Sequence, residues 1–346
     1  MLYYLLPSVI LMVMVSMMYI SKLKLKSYAT FLFLACLPAI VISVLSGDSG
    51  TDKESYYGWI GNSFNGNSEK VTYEPGFKYL SLLLSYIYPS VYFIIPAIAL
   101  LTTLILIKSY SNSKYQLLIF TFLLFPYFYF DMTMNGLRYG LSFALVSLAA
   151  HQLSKPKKNS FLFFVFALLA VSMQYSSFLM VVLIYLSQVN FKKIHLLFLV
   201  VVGYAVVSIL DFEYFDNKVD VYNDISRPSG ISGLSPLILF FTVFLFNWYL
   251  QKKLSWIYFV ILGLEILSFL LSLKSYSGLR FQTLMMFTLL IFIAHFQTAQ
   301  VFRKRLLAVF FMIACLSLSL KMRNFMNEEK FVETPFIPYE FFWERR

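Results

Sequence analysis

Apolar residues in this chain do not recur on one face of a helix or alternate along a strand. They run on for most of a bilayer's thickness at a time, which is the signature of membrane spans. Taken as spans, the runs cover residues 2–20, 28–46, 90–107, 115–131, 136–153, 160–173, 175–189, 194–210, 235–250, 254–272, 281–298 and 306–321. The pattern predicts an all-α polytopic membrane protein of about twelve transmembrane helices. Two neighbouring runs, 160–173 and 175–189, are short, and their junction Met173-Gln174-Tyr175-Ser176-Ser177 has no Gly or Pro. Either that connection is very tight, or the helices break below the membrane surface where backbone lines a cavity.

Composition narrows the class further. Of 346 residues, 60% are hydrophobic, 19% aromatic and only 13% charged, with a mean hydropathy of +0.73. A water-soluble domain carries roughly a quarter charged residues. One integral membrane domain over 1–346 is therefore expected rather than several soluble ones. The net charge of +11 would suggest nucleic acid in a soluble protein, but here its placement reports topology. Every second connection is short and basic: Lys22, Lys24 and Lys26; Lys108 and Lys114; Lys155, Lys157 and Lys158; Lys192 and Lys193; Lys252 and Lys253; Arg303, Lys304 and Arg305. None of these connections holds an Asp or Glu. By the positive-inside rule they face the cytoplasm, which puts both termini outside. The first run lacks a basic leader and a cleavage site, so it reads as a retained span. Cys36 and Cys315 both lie in apolar runs, which rules out a disulfide framework in the loops.

Chemistry is expected in the extracytoplasmic segments 47–89, 211–234 and 322–346, or at the outer ends of spans. The first segment contains Gly50-Thr51-Asp52, Tyr56, Tyr57, Trp59 and Tyr73-Glu74-Pro75-Gly76-Phe77. The stretch after Pro75 predicts a helix along or dipping into the interface. The second holds Asp211, Glu213, Asp216, Asp220 and Asp224 without the ligand spacing of a calcium loop. Four ionisable residues sit at or within spans: Asp131, Arg138, Glu265 and Arg280. Arg138 and Arg280 each follow a Gly-Leu dipeptide, and they read either as headgroup anchors or as a pair of guanidinium forks for phosphate or pyrophosphate. Glu265 reads as a charge paired inside the bundle, a protonated carboxyl, or part of a proton relay. His151, His195 and His295 are too scattered for a zinc site and fall near cytoplasmic ends. The P-loop, Rossmann and G-x-S-x-G motifs are absent, which excludes ATP-driven pumping by this chain and serine-hydrolase chemistry.

Four short segments, in order, resemble the EpsG-like branch of the Wzy-type bacterial polysaccharide polymerases. Gly50-Thr51-Asp52 with Tyr56 is similar to the family's G-T-D-x-x-x-Y, and Glu74-Pro75-Gly76-Phe77 to its E-P-G-F. Asn135-Gly136-Leu137-Arg138-Tyr139-Gly140-Leu141 is similar to N-x-x-R-x-x-[LI]. Met173-Gln174-Tyr175-Ser176-Ser177 stands where the family has F-H-x-S, with Gln174 in place of the histidine. Val44, Leu45 and Ser46 stand where an arginine is common at the outer end of the second span.

The resemblance implies a GT-C-like membrane glycosyltransferase of the bacterial plasma membrane. Its substrates would be oligosaccharide repeat units on undecaprenyl pyrophosphate, in O-antigen, capsule or exopolysaccharide synthesis. Membrane lipids and a chain-length regulator are implied as partners, with no nucleic acid, no metal and no cofactor. Arg138 would stabilise the leaving pyrophosphate, and Asp52, Glu74 or Asp131 would act as base. Arg280, Asn135, Gln174, Tyr175, Tyr56 and Tyr73 would bind substrate. Rival readings are a repeat-unit flippase or other transporter, another glycosyl-lipid transferase or ligase, and a membrane acyltransferase. A flippase should line a cavity with cations at several depths, an acyltransferase needs an intramembrane or cytoplasmic histidine among polar groups, and a transporter should show repeated halves with broken spans.

Orientation is directly testable. Cysteines replacing Ser68 and Asn223 should react with an impermeant thiol reagent added to intact cells, and one replacing Asn159 should stay unlabelled. Labelling at 159 would invert the topology.

Overall fold

The computed structural model describes residues 1–21, 27–64, 74–188, 233–251, 253–297, 304–328 and 334–344. These are mostly helical, and among them there is no strand, only an antiparallel bridge between Ser46 and Phe341. The helices are α1 (Leu2–Ile20), α2 (Tyr28–Leu45), α3 (Lys53–Phe64), α4 (Pro75–Ile87) and α5 (Val91–Tyr110). There follow α6 (Lys114–Asn135), α7 (Leu137–Ser154), α8 (Ser160–Met173), α9 (Ser177–Gln188), α10 (Leu234–Gln251), α11 (Trp256–Ser272), α12 (Tyr276–His295) and α13 (Lys304–Glu328). Seven of them, α1, α2, α5, α6, α10, α12 and α13, are long and apolar enough to cross a membrane. Three more, α8, α9 and α11, are apolar but shorter. The run expected at 194–210, the acidic residues of the second loop, His195 and Tyr73 lie outside the described residues.

The chain divides into two compact units, Met1–Phe178 with Leu290–Arg346, and Leu179–Leu289. In the first unit α6 is the hub, packed by α1, α2, α5 and α13 and followed directly by α7. Its sequence Phe120-Thr121-Phe122-Leu123-Leu124-Phe125-Pro126-Tyr127-Phe128-Tyr129-Phe130 is apolar on every face, and every one of these residues is buried. A helix apolar all round belongs in the middle of a bundle. The helix widens into π turns at Phe120–Leu124 and Asp131–Asn135. The first lies just ahead of Pro126, whose missing N–H and bulky ring disrupt a regular α ladder at that point. On the outer helices the faces away from α6 carry Leu6, Val13 and Met17 of α1, Val41 of α2 and Met312 of α13, all exposed. Such a surface suits lipid rather than water.

The helix α7 is long enough to cross a membrane but falls short in apolarity, because it carries Arg138, Ser142, Ser147, His151 and Gln152. Nearly all of it is buried against α5 and α8, so its side chains face protein and have no need to match lipid. Small residues bring these helices close: Ser142 Oγ donates to the Ala170 carbonyl of α8 at 2.7 Å, and Ser147 and Tyr110 hydroxyls meet at 3.2 Å. The α8 to α9 connection is the tight alternative, since α8 ends at Met173, α9 starts at Ser177, and the Ser177 N–H donates to the Gln174 carbonyl.

In the second unit, Glu265 is fully buried on α11 and accepts from the Gln282 amide of α12 at 3.2 Å. That amide also donates to the Gly233 carbonyl at 3.0 Å. Helix α12 starts at Tyr276, earlier than the apolar run, because Gly278 lets the turn close against the Ser272 backbone.

Gly140 is the tightest point between α6 and α7. A Cβ there would sit 2.7 Å from the Met132 Cα and 2.8 Å from its carbonyl carbon, and backbone cannot move aside cheaply. Gly140→Ala should therefore lower stability by about 1–3 kcal/mol in thermal unfolding of the detergent-solubilised protein. Gly263, with nothing near its missing Cβ, serves as the control: Gly263→Ala should be neutral or stabilising by up to about 1 kcal/mol.

Candidate active site

The second π turn of α6 ends at Asn135-Gly136, and this end of the helix receives the turn that links α2 to α3. Asn135 Oδ1 accepts the Thr51 hydroxyl at 2.7 Å and the Asp52 N–H at 2.8 Å. One carboxamide oxygen thus holds two residues, Thr51 and Asp52, of the Gly50-Thr51-Asp52 turn. Gly50 makes the approach possible. Its φ of +136° is one that side-chain-bearing residues avoid, and a Cβ on it would stand 2.5 Å from the Met134 carbonyl oxygen.

At the second residue of α7, Arg138 Nη1 donates to Glu74 Oε2 at 2.7 Å. Both side chains are largely buried, Arg138 at 11% exposure and Glu74 at 1%. The guanidinium carbon lies 5.0 Å from the centre of the Trp59 ring, a cation–π contact. The Arg138 N–H donates to the hydroxyl of Tyr56, which is itself buried and packs on Trp59 and Phe77. Burial raises the Tyr56 hydroxyl above its ordinary range, while the charge of Arg138 pulls the other way. Glu74 is set by α4, where Pro75 takes the first helical position and needs no N–H partner. Gly76 then packs on Ser172 of α8. This contact brings the α8 to α9 turn to the site, where desolvation first and the Glu74 charge second push the Tyr175 hydroxyl upward.

Two further cations complete this end of the unit. Lys53, fully buried at the start of α3, donates to the carbonyl and hydroxyl of Ser46 just beyond the C-terminus of α2. An ammonium is favourable at that negative helix end. Desolvation nonetheless pulls its amine down to about 7, with Asp48 opposing the shift. Lys321 of α13 is ion-paired with Asp131 and lies over the rings of Tyr127 and Phe325. Among the described residues no group of three or more His, Cys, Asp or Glu is placed to hold a metal ion.

A family model described as the EpsG family matches residues 29–341, which takes in every segment of this cluster. The chain belongs to the EpsG family. No curated protein and no solved structure matches it. Membership gives the chain a polymerase-type role in polysaccharide biosynthesis, of glycosyltransferase-like character.

Most of the residues selected from the sequence of this EpsG-family chain converge. Asp52, Tyr56, Glu74, Asn135, Arg138 and Tyr175 gather at one end of the first unit. Gln174 lies beside them, with its amide donating to Ser176 Oγ at 3.1 Å. Asp131 is bound instead to Lys321, a partner that sequence reading did not supply. Arg280 lies in the second unit with its guanidinium 5.7 Å from the Tyr276 ring centre. Helix α3 was also not foreseen. Gly58 and Gly61 weaken its helical signal, which survives only in the buried pair Tyr56 and Ile60 at helical spacing. At the far end of α7 the histidines are less scattered than their spacing suggests: the His151 and His295 rings are 5.9 Å apart, and Gln116 and His295 meet at 3.2 Å.

The buried Lys53 makes a pH prediction. The unfolded amine holds its proton to about pH 10, whereas the folded one releases it above about 7. Between those values the unfolded chain binds more protons, so stability should rise with pH, by at most about 1.4 kcal/mol per unit. Melting of the purified protein from pH 7 to 9.5 should show the rise, and Lys53→Met should flatten it. A wild-type curve that falls with pH would contradict the burial of this amine.

Proposed function

We propose that this protein polymerises oligosaccharide repeat units carried on undecaprenyl pyrophosphate, by glycosyl transfer at the outer face of a bacterial plasma membrane. The observation that carries the reading is the Arg138 guanidinium, buried, oriented by Glu74 and Trp59, and gathered with Asp52, Tyr56 and Asn135. Twelve spans with both termini outside would place this end of the first unit extracytoplasmically, as the basic connections demand.

In the reaction the anomeric carbon of the growing chain loses its bond to the phosphate oxygen, and the electron pair leaves with undecaprenyl pyrophosphate. A hydroxyl of the incoming unit forms the new glycosidic bond and gives up its proton. Arg138 meets the charge that develops on the leaving group, the largest electrostatic demand in such a step. Glu74 already neutralises part of Arg138, so a pyrophosphate calls for more positive charge than this pair carries. Asp52, whose N–H is held at 2.8 Å by Asn135, two positions before the start of α7, is the base. Trp59, Tyr73 and Tyr175 stack on sugar rings, Gln174 orients a hydroxyl or phosphate, and guanidinium groups take the part a divalent ion plays in other transferases. O-antigen, capsule and exopolysaccharide are all products of this class, and a chain-length regulator would act alongside it.

The test is the length distribution of surface polysaccharide in cells whose only copy is the variant. Arg138→Ala should leave single repeat units with the protein still inserted, and Arg138→Lys should fall well short of wild type because it lacks the bidentate fork. Asp52→Asn should reduce polymer by about 10²–10⁴-fold. Complete loss of surface units on gene deletion would favour a flippase or ligase, and near-normal ladders from Arg138→Lys would reduce Arg138 to a headgroup anchor.

A further inference from the structure

The segment after α13 returns over the corner between α2 and α3 and is bonded to it along its length. Thr334 grips Gly50 from both sides: its hydroxyl donates to the Gly50 carbonyl at 2.7 Å, and its carbonyl accepts the Gly50 N–H at 3.2 Å. Further on, the Glu340 N–H donates to Ser49 Oγ at 2.9 Å and its carbonyl accepts the Gly47 N–H at 2.7 Å. The Phe342 N–H donates to the Leu45 carbonyl at 3.0 Å, and the Tyr339 hydroxyl to the Ile42 carbonyl at 2.8 Å. Aromatic packing seats the segment, with Phe336 stacked on Phe325 at 3.8 Å and its carbonyl accepting the Tyr4 hydroxyl.

Glycine loses more freedom on ordering than any other residue, and Gly50 must hold a φ of +136° for Thr51 and Asp52 to reach Asn135. Within the turn the Lys53 N–H bonds the Gly50 carbonyl at 2.9 Å. Thr334 adds a second bond at that carbonyl and holds the Gly50 N–H as well, and Thr334 is buried, so it acts through Gly50 and touches no substrate. We propose that Thr334 is a positioning residue for the transfer reaction, and that the strap Thr334–Phe342 holds the Gly50-Thr51-Asp52 turn in register with Asn135 and Arg138. This rests on the polymerase reading for its effect on product, but not for its effect on the turn.

Two variants and two readouts decide it. Thr334→Val keeps the shape and removes the hydroxyl, which leaves the buried Gly50 carbonyl with the Lys53 N–H at 2.9 Å but without its bond to the strap, and Thr334→Ser restores the donor. In the full-length protein in nanodiscs, amide hydrogen exchange over residues 47–53 should quicken by about tenfold for Thr334→Val while that of α7 stays unchanged, and Thr334→Ser should match wild type. In cells Thr334→Val should shorten the polysaccharide ladder and Thr334→Ser restore it. Unchanged exchange in Thr334→Val overturns the clamp, and faster exchange with a normal ladder overturns its role in positioning. A gene deletion that leaves the ladder intact would sink the polymerase reading while the exchange difference survived, so the two failures are distinguishable.

Discussion

A guanidinium nearly nine-tenths removed from solvent must have an anion, and most of this site follows from that requirement. The anion is Glu74, and stripping either partner leaves a buried charge at a cost of about 3–5 kcal/mol. Because Glu74 immediately precedes Pro75, the ion pair also fixes where α4 begins. Gly76 then sets α4 against α8, and the opposite face of α4, with Tyr79, Leu83 and Tyr86, is left exposed. An amphipathic helix with that face is suited to the membrane interface. The same guanidinium lies on Trp59 and so anchors α3. Site and scaffold share one interaction.

The second constraint is the end of α6. A regular α-helix through Asp131–Asn135 would rotate Asn135 by a fixed step, whereas the π turn inserts extra arc and re-aims its side chain. The Asn135 carboxamide then serves the Thr51 hydroxyl and the Asp52 N–H at once. The turn persists because the Gly136 N–H donates to the Asp131 carbonyl at 2.7 Å, and because the Asp131 carboxylate is tied to Lys321 of α13. Asp131 is thereby tied to α13 at the very turn that aims Asn135.

Among the described residues, hydropathy made legible the seven helices long and apolar enough to cross a membrane, because there the solvent dictates the sequence. It also marked α7, expected at 136–153 and found at Leu137–Ser154, but it gave no sign of α3, whose glycines and polar residues carry little period. The convergence of Asp52, Glu74, Asn135 and Arg138 was legible from short motifs, each at the end of an apolar run that the topology placed on one side. What those motifs did not contain were the supports. Lys53 reads in sequence as one more loop lysine, yet it is buried against Ser46. Lys321 reads as the polar end of a span, yet it holds Asp131. Thr334 acts on a residue 284 positions away, and no local pattern encodes such a contact. The aromatic and proline-rich stretch Phe336-Ile337-Pro338-Tyr339-Glu340-Phe341-Phe342-Trp343 was its only trace, a tail too apolar to be solvated.

The paired charges also bear on how a base would operate here. In the first unit Arg138 is matched by Glu74 and Lys321 by Asp131, and Asp52 stands in the same cluster with its N–H on Asn135. In the proposed reaction a pyrophosphate arrives beside it, and a nearby negative charge favours the protonated form of a carboxylate. The donor lipid would itself strengthen Asp52 as a proton acceptor, and departure of the pyrophosphate would release the proton again. A site built this way needs its acid–base group near the leaving group rather than isolated from it, which is the arrangement that the shared grip of Asn135 on Asp52 and the short step to Arg138 provide.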